Sequence, residues 1–412
     1  MDAEKTRVFL ERSKSSPINV WLKGSKRSRS PCEPLLQVIP HAIGRLRSLS
    51  IHADPEVLQD ITAQLHLHAP LLENLSIDNS CEHTPLRIPV LTPTIFNGDL
   101  SSLRELCLRT VRTQLPWRNM VNLVSFTLTN ILLGELSVGH LLDFFESVPR
   151  LREVELASAT PTSGTQDGRL VSLGCLERMS IIGRKPPFLL LDHLLIPVGA
   201  TLTIRADLRS PTIEDHLLKS LDNLKNLPGF TGIYLYFCRW HPRIEFSGPN
   251  GNVIIFPAYL GLPTTQSILE SLALFDTSKV ERLEIENGQS SSRDLPYQTL
   301  LPMKRLRTLT LSRCQNIHIF TDALQPRAGS EDVVCPELEK LVLVPRSDLD
   351  LEAKDVIGMA VARELRGVKL KSVRIATHDK VEEADVLELK KHVLQVECVT
   401  TLASNDKIDE EG

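Results

Sequence analysis

The sequence predicts an α/β fold, an open solenoid with a parallel sheet on its concave side and helices outside. Three observations predict it. A short apolar cadence recurs along the chain, as in "LENLSI" at 72–77, "LRELCL" at 103–108 and "LRTLTL" at 306–311. Between recurrences the apolar spacing turns helical. Within each recurrence, the residues alternating with the last two anchors are polar: Glu105 and Arg109, Glu153 and Glu155, Arg282 and Glu284. The last two anchors therefore suit a half-buried strand, and the earlier leucine lies where the incoming turn tucks into the core. Strands of a closed β/α barrel are buried on both faces and read as continuous apolar runs, so the polar side favours the open form.

The elements follow in chain order. Residues 1–42 are expected to cap the array, with a helix around 3–13 and a strand over "INVWL" at 18–22. An irregular repeat domain of about twelve rungs fills 43–402, the rungs starting at 46, 72, 103, 123, 151, 176, 199, 230, 280, 306, 338 and 370. Their mean spacing of about 29 residues is at the long end for leucine-rich repeats. Strand plus helix cannot bury both faces alone, whereas stacked units can. "DPEVLQDITAQL" (54–65) sets Val57, Leu58, Ile61 and Leu65 on one helical face, after Asp54 as N-cap and Pro55 as first residue. "SPTIEDHLLKSLDNLKNL" (210–227), "GHLLDFFESV" (139–148) and "DVIGMAVAREL" (355–365) read as helices too, as does "ADVLELKKHVLQVECV" (384–399). The interval from 230 to 280 holds "RIEF" and "NVIIF" and is expected to carry an inserted or degenerate unit. The usual Asn or Cys three residues past the last anchor is met only by Cys238 and Cys314, so the array is expected to be irregular. Residues 403–412 are acidic and expected to be disordered.

Composition narrows the function. The net charge of −4 offers no field for nucleic acid, and the basic run "KGSKRSRS" (23–30) reads as a solvated loop. No stretch approaches the ~20 apolar residues of a membrane span. The start, "MDAEKTRVFLERSK", is too charged for a secretory signal. Eight scattered cysteines without a CxxC pair point to free thiols in a reducing compartment, cytoplasm or nucleus, with no disulfide, metal or cofactor expected. No nucleophile elbow, phosphate loop, dinucleotide fingerprint or HExxH is present. His52, His66, His68 and "CEH" (81–83) form a metal set only on paper, and Asp192 with His193 lacks a nucleophile at a diagnostic spacing. No catalytic residue is expected.

The opening "FLERSKSSPINVWL" (9–22), followed by "LRSLSI" and later by "HAPLLENLSI" and "VPRLREVEL", resembles leucine-rich-repeat F-box proteins of mushroom-forming fungi. The resemblance runs along essentially the whole chain and begins where those proteins continue after the F-box. It implies the substrate-recognition part of an F-box-type subunit of a cullin–RING ubiquitin ligase. No "LPxE" with a leucine-rich helical trio precedes residue 9, so the F-box itself is expected to be missing from this chain. A Skp-type adaptor is then a partner only if an upstream F-box exists. The alternative is an F-box-less scaffold with no ligase role.

A protein partner is expected on the concave face. In "FTGIYLYFCRW" (230–240), alternation sends Ile233, Leu235 and Phe237 inward and points Tyr234 and Tyr236 at the concave surface, with Trp240 just beyond. Thr201, Thr203 and Arg205 are expected to flank them on one side, and Arg282, Glu284 and Glu286 on the other.

Overall fold

In the computed structural model the described residues are 3–24, 42–79, 90–92, 94–113, 119–131, 137–158, 168–183, 188–197, 199–208, 230–237, 243–248, 251–259, 265–272, 275–289, 292, 294–327, 332–347, 351–377 and 381–400. The chain divides into two compact units, one holding the strands up to Leu208 and one those from Gly232 on. The fold is mixed α/β. The expected helix at 210–227 and the tail at 403–412 lie outside the described residues.

The first unit contains an open, wholly parallel sheet of eight strands in chain order. These are β1 (Ile18–Gly24), β2 (Leu46–Ala53), β3 (Asn74–Asn79), β4 (Glu105–Arg109), β5 (Ser125–Thr129), β6 (Glu153–Ala157), β7 (Arg178–Gly183) and β8 (Thr201–Leu208). The register aligns the anchors. Leu49, Leu75, Leu106, Phe126, Val154, Met179 and Leu202 form one row across the sheet, and the residue two further along each strand forms the next. No member of either row is more than 3% exposed, so one sheet face is core from β2 to β8. The ladder starts before the strands proper: the Glu73 amide donates to the Arg47 carbonyl (2.8 Å), and Arg104 repeats this on Glu73 (2.7 Å). That early pairing explains why the first leucine of each rung is buried with the other two.

One apolar position escapes the cadence. In the six rungs of this unit that begin with leucine, that leucine donates to the carbonyl three residues back, as Leu72 does to Ala69 (3.1 Å) and Leu123 to Met120 (3.0 Å). The residue three back is buried each time: Ile43, Ala69, Leu100, Met120, Val148 and Leu173. Each of these six rungs thus has four anchors, and the fourth varies too much in chemistry to be heard as a repeat.

The segments behind this sheet differ from rung to rung. α1 (Ala3–Arg12) precedes β1, and Arg45 holds it through Ser13 Oγ (3.1 Å) and the Leu10 carbonyl (3.3 Å). Phe9 on α1 remains 64% exposed. α2 (Pro55–Gln64) follows β2 and buries Leu58 and Ile61. α3 (Val138–Ser147) follows β5. There the His140 amide donates to Ser137 Oγ (3.1 Å) and the Ser137 amide reaches back to His140 Nδ1 (3.5 Å), satisfying two of the free donors of the first turn. Phe144 of α3 packs on Phe126 with ring centroids 4.3 Å apart.

The second unit corrects the expected all-parallel sheet. Its strands are β9 (Gly232–Tyr236), β10 (Arg243–Gly248), β11 (Gly251–Tyr259), β12 (Arg282–Glu286), β13 (Thr308–Cys314), β14 (Lys340–Pro345), β15 (Ser372–Thr377) and β16 (Gln395–Thr400). They lie in the order β11-β10-β9-β12-β13-β14-β15-β16. From β9 through β12 to β16 all pairs are parallel, but β9–β10 and β10–β11 are antiparallel. Connection length is the reason. Only Pro249 and Asn250 separate Gly248 from Gly251, whereas a parallel return needs a crossover of a dozen residues or more. The insertion between the rungs at 230 and 280 is therefore a hairpin, laid on the side of β9 away from β12.

A second correction concerns 384–399, which is not one helix. α8 (Glu383–His392) ends and β16 follows, parallel to β15. Leu389 is the only buried residue of that helix, so little apolar contact holds it, while Val396 and Val399 suit a strand and find a free sheet edge. Behind this sheet, α4 (Thr265–Leu272), α5 (Asp294–Leu300), α6 (Ile317–Leu324), α7 (Ala353–Leu365) and α8 pack each on the next. Arg363 of α7 is wholly buried, and its guanidinium donates to the carbonyls of Val334 (2.9 Å), Cys335 (2.8 Å) and Leu324 (3.4 Å). Burial pushes the neighbouring Cys335 thiol up to about 12.

Candidate functional site

β9 repeats the rung alternation: Ile233 and Leu235 are buried, and Tyr234 and Tyr236 stand half-buried on the opposite face. The parallel register of β12 sets Tyr234 beside Glu284 and Tyr236 beside Glu286. The Tyr234 hydroxyl donates to Glu286 Oε2 at 2.6 Å. The two tyrosine rings are stacked, with centroids 6.5 Å apart and planes 16° from parallel. Arg282 sits opposite Gly232, where a Cβ would lie 3.6 Å from the guanidinium and 2.5 Å from Ser247 Oγ. A side chain there would have to move the Ser247 hydroxyl, whereas the guanidinium is at ordinary contact distance.

The other flank of β9 differs from the expectation. Its neighbour is β10, which sets Glu245 opposite Tyr234 and Arg243 opposite Tyr236. The role assigned to Thr201, Thr203 and Arg205 therefore falls to Arg243 and Glu245, residues that sequence reasoning missed because they lie in the insertion. Arg243 is ion-paired with Glu245, and its guanidinium carbon lies 5.8 Å from the Tyr234 ring centroid, within reach of a cation–π attraction. Thr201 and Thr203 lie half-buried on β8 in the first unit, where Arg205 pairs in register with Ile182. Trp240 lies outside the described residues.

Crowding shapes the electrostatics. Burial, the bond to Glu286 and the adjacent carboxylates hold the Tyr234 hydroxyl protonated far above its ordinary range. The Glu284 side chain is exposed on the sheet face, yet its neighbours strip part of its solvation. That loss, with the negative charge of Glu286, raises its carboxyl above the ordinary carboxylate value.

The first unit carries polar-face features of its own. Trp21 of β1 is 68% exposed, opposite Ser50 in the register and turned away from the buried Leu22. Alternation in "INVWL" carries that signal. A shallow depression of about 210 Å³ runs across β5 to β8, lined by Thr127, Glu155, Ser180, Thr203 and the ion-paired Glu153 and Arg178.

Among the described residues, no three His, Cys, Asp or Glu side chains converge to hold a metal ion. His52 pairs with Asp78 (3.2 Å), His68 with Asp99 (3.1 Å), and His193 Nδ1 lies 2.8 Å from the Arg169 carbonyl. The described cysteines 107, 175, 314, 335 and 398 are free thiols. Among the described residues no helix is long and apolar enough to cross a membrane. The chain matches no family model and no curated protein.

Proposed function

We propose that the chain is a leucine-rich-repeat protein, an open solenoid with its sheet on the concave side, and that it binds another protein there without catalysing a reaction. In this reading it is the substrate-recognition part of an F-box-type subunit of a cullin–RING ubiquitin ligase, working in the cytoplasm or nucleus. The stacked Tyr234–Tyr236 pair carries the binding reading, because it stands on a polar sheet face beside Arg282, Glu284 and Glu286. Tyrosine offers a large contact area with few rotors and a polar tip, and binding hot spots are enriched in it. The rungs with their buried anchors support the repeat assignment, and the resemblance of residues 9–22 and the following rungs supports the ligase assignment.

Tyr234→Ala combined with Tyr236→Ala tests the binding reading. It should weaken the partner recovered by affinity purification by about 2 kcal/mol or more, with the melting temperature nearly unchanged. A double variant that melts early, while its folded fraction binds normally, would make the pair packing rather than a binding site. A Skp-type adaptor co-purifying with the full-length transcript product would support the ligase role. Its absence, from a transcript confirmed to start at Met1, would leave a scaffold.

A further inference from the structure

Among the described residues, carboxylates outnumber cations around the tyrosine pair: Glu245, Glu284 and Glu286 against Arg243 and Arg282. Arg243 is engaged by Glu245. Arg282 lies over Gly232. Glu286 accepts the Tyr234 hydroxyl with one oxygen. Glu284 takes part in no hydrogen bond or ion pair among the described residues, and its lateral neighbours are the uncharged Tyr234 and Thr310. Further along that row come apolar Val342 and then Arg374, which is paired with Glu397 (3.7 Å). Two carboxylates on one strand thus face outward beside two parallel aromatic rings, with Arg243 engaged by Glu245 and Arg282, two positions before Glu284, the remaining nearby cation of this face among the described residues.

We propose that the partner presents an arginine side chain to this point, its guanidinium plane against the Tyr234–Tyr236 rings and its N–H groups donating to Glu284 and Glu286. The proposal rests on the protein-binding reading of the same face and adds the chemistry of the partner. A guanidinium is planar, stacks on aromatic faces and offers several donors in a fixed fork, so one group satisfies both the rings and the carboxylates. Arg243 already displays half of this arrangement by lying over the Tyr234 ring. A metal ion fits less well: it draws little from the rings, and among the described residues no third carboxylate, His or Cys joins the pair to hold one. An arginine also supplies the charge that Glu284 lacks, so the complementarity is electrostatic as well as geometric.

The test uses fluorescein-labelled decapeptides with one central arginine in an uncharged extended background, and matched peptides carrying citrulline or glutamate instead. Citrulline keeps the shape and removes the charge. Fluorescence anisotropy with the full chain should show the arginine peptide binding at least tenfold more tightly than the citrulline peptide, with the glutamate peptide weakest. Glu284→Gln with Glu286→Gln should abolish the preference, while Glu155→Gln on the first unit should leave it intact. Equal affinity for arginine and citrulline peptides, including no measurable binding of either, overturns the proposal. So does a preference that survives the double glutamine variant with its melting temperature unchanged. If the tyrosine double variant still loses the purified partner when the peptide preference is absent, the binding reading stands and only the arginine assignment falls.

Discussion

Thr110 sits at φ 53°, in the left-handed region that costs a side-chain-bearing residue about 1–2 kcal/mol and suits a β-branched one least. The same position four residues past the first strand anchor is left-handed in other rungs, at Asn130 (φ 52°), Ser158 (φ 50°), Asn287 (φ 57°) and Arg313 (φ 52°). At this turn the left-handed residue's own amide reaches the next rung: Thr110 donates to the Thr129 carbonyl (2.8 Å), and Asn130 to the Ala157 carbonyl (2.7 Å). Thr110→Asn should therefore raise stability by about 0.5–1 kcal/mol in urea unfolding, since asparagine tolerates this conformation. An unchanged or lower midpoint would place the strain elsewhere. Glu284 makes a second residue-scale prediction. Its folded carboxyl is raised above the unfolded value, so the folded state holds the proton more tightly. Its contribution to stability is greatest below the ordinary carboxylate value and is lost as pH rises through the folded value. Glu284→Gln should thus stabilise the protein at neutral pH, with a gain that vanishes in acid, measurable by melting curves across pH. Alternation alone made Tyr234, Tyr236, Glu284 and Glu286 legible in the sequence, because side chains on a strand have only two sides. The left-handed turns were not legible, because Thr, Asn, Ser and Arg all occupy them. Nor was the buried Asn79, whose amide donates to the Thr110 carbonyl (3.1 Å) one residue short of the position where the repeat usually carries Asn.

At the scale of elements, α7 is pinned by its one buried cation. Arg363 meets carbonyl oxygens rather than a carboxylate, and so ties the helix back to the turn at 334–335 that leads into the preceding rung. Arg363→Ala would leave a cavity and at least two buried carbonyls without donors, at about 1–3 kcal/mol each. The expected loss is about 3 kcal/mol or more by urea unfolding. Arg363→Lys should fall between, because one ammonium cannot span all three acceptors. A loss below 1 kcal/mol for the alanine variant would mean that water reaches those carbonyls. Strand and helix positions were legible wherever one face buries several anchors, as at "LRELCL" and "GHLLDFFESV". They were misleading at the end of the chain, where "VLQVECV" carries both periods and the free edge of β15 decided for strand. The hairpin was legible as an interruption but not as an antiparallel pair, since strand direction is set by how far the chain must travel between strands.

For each unit as a whole, stability passes from rung to rung through neighbours in the ladder. β16 is paired on one side only among the described residues, and its side chains are exposed or half-exposed throughout, whereas β13 lies between β12 and β14 with Leu309 and Leu311 fully buried. Hydrogen exchange should therefore run at least about tenfold faster at amides 396–400 than at 308–312, since fraying ends open at little cost and core strands only near the global limit. Equal protection would mean that something covers the edge of β16. The hairpin bears on this directional ladder through parity. A parallel ladder has a sense, every strand rising from the same rim, and a lone antiparallel strand would end it upside down. β10 reverses the sense of β9, and β11 reverses it back. Two strands are the smallest antiparallel insert that leaves the outermost strand pointing the way its ladder points, so the unit ends on a strand with the same heading as every rung from β9 to β16.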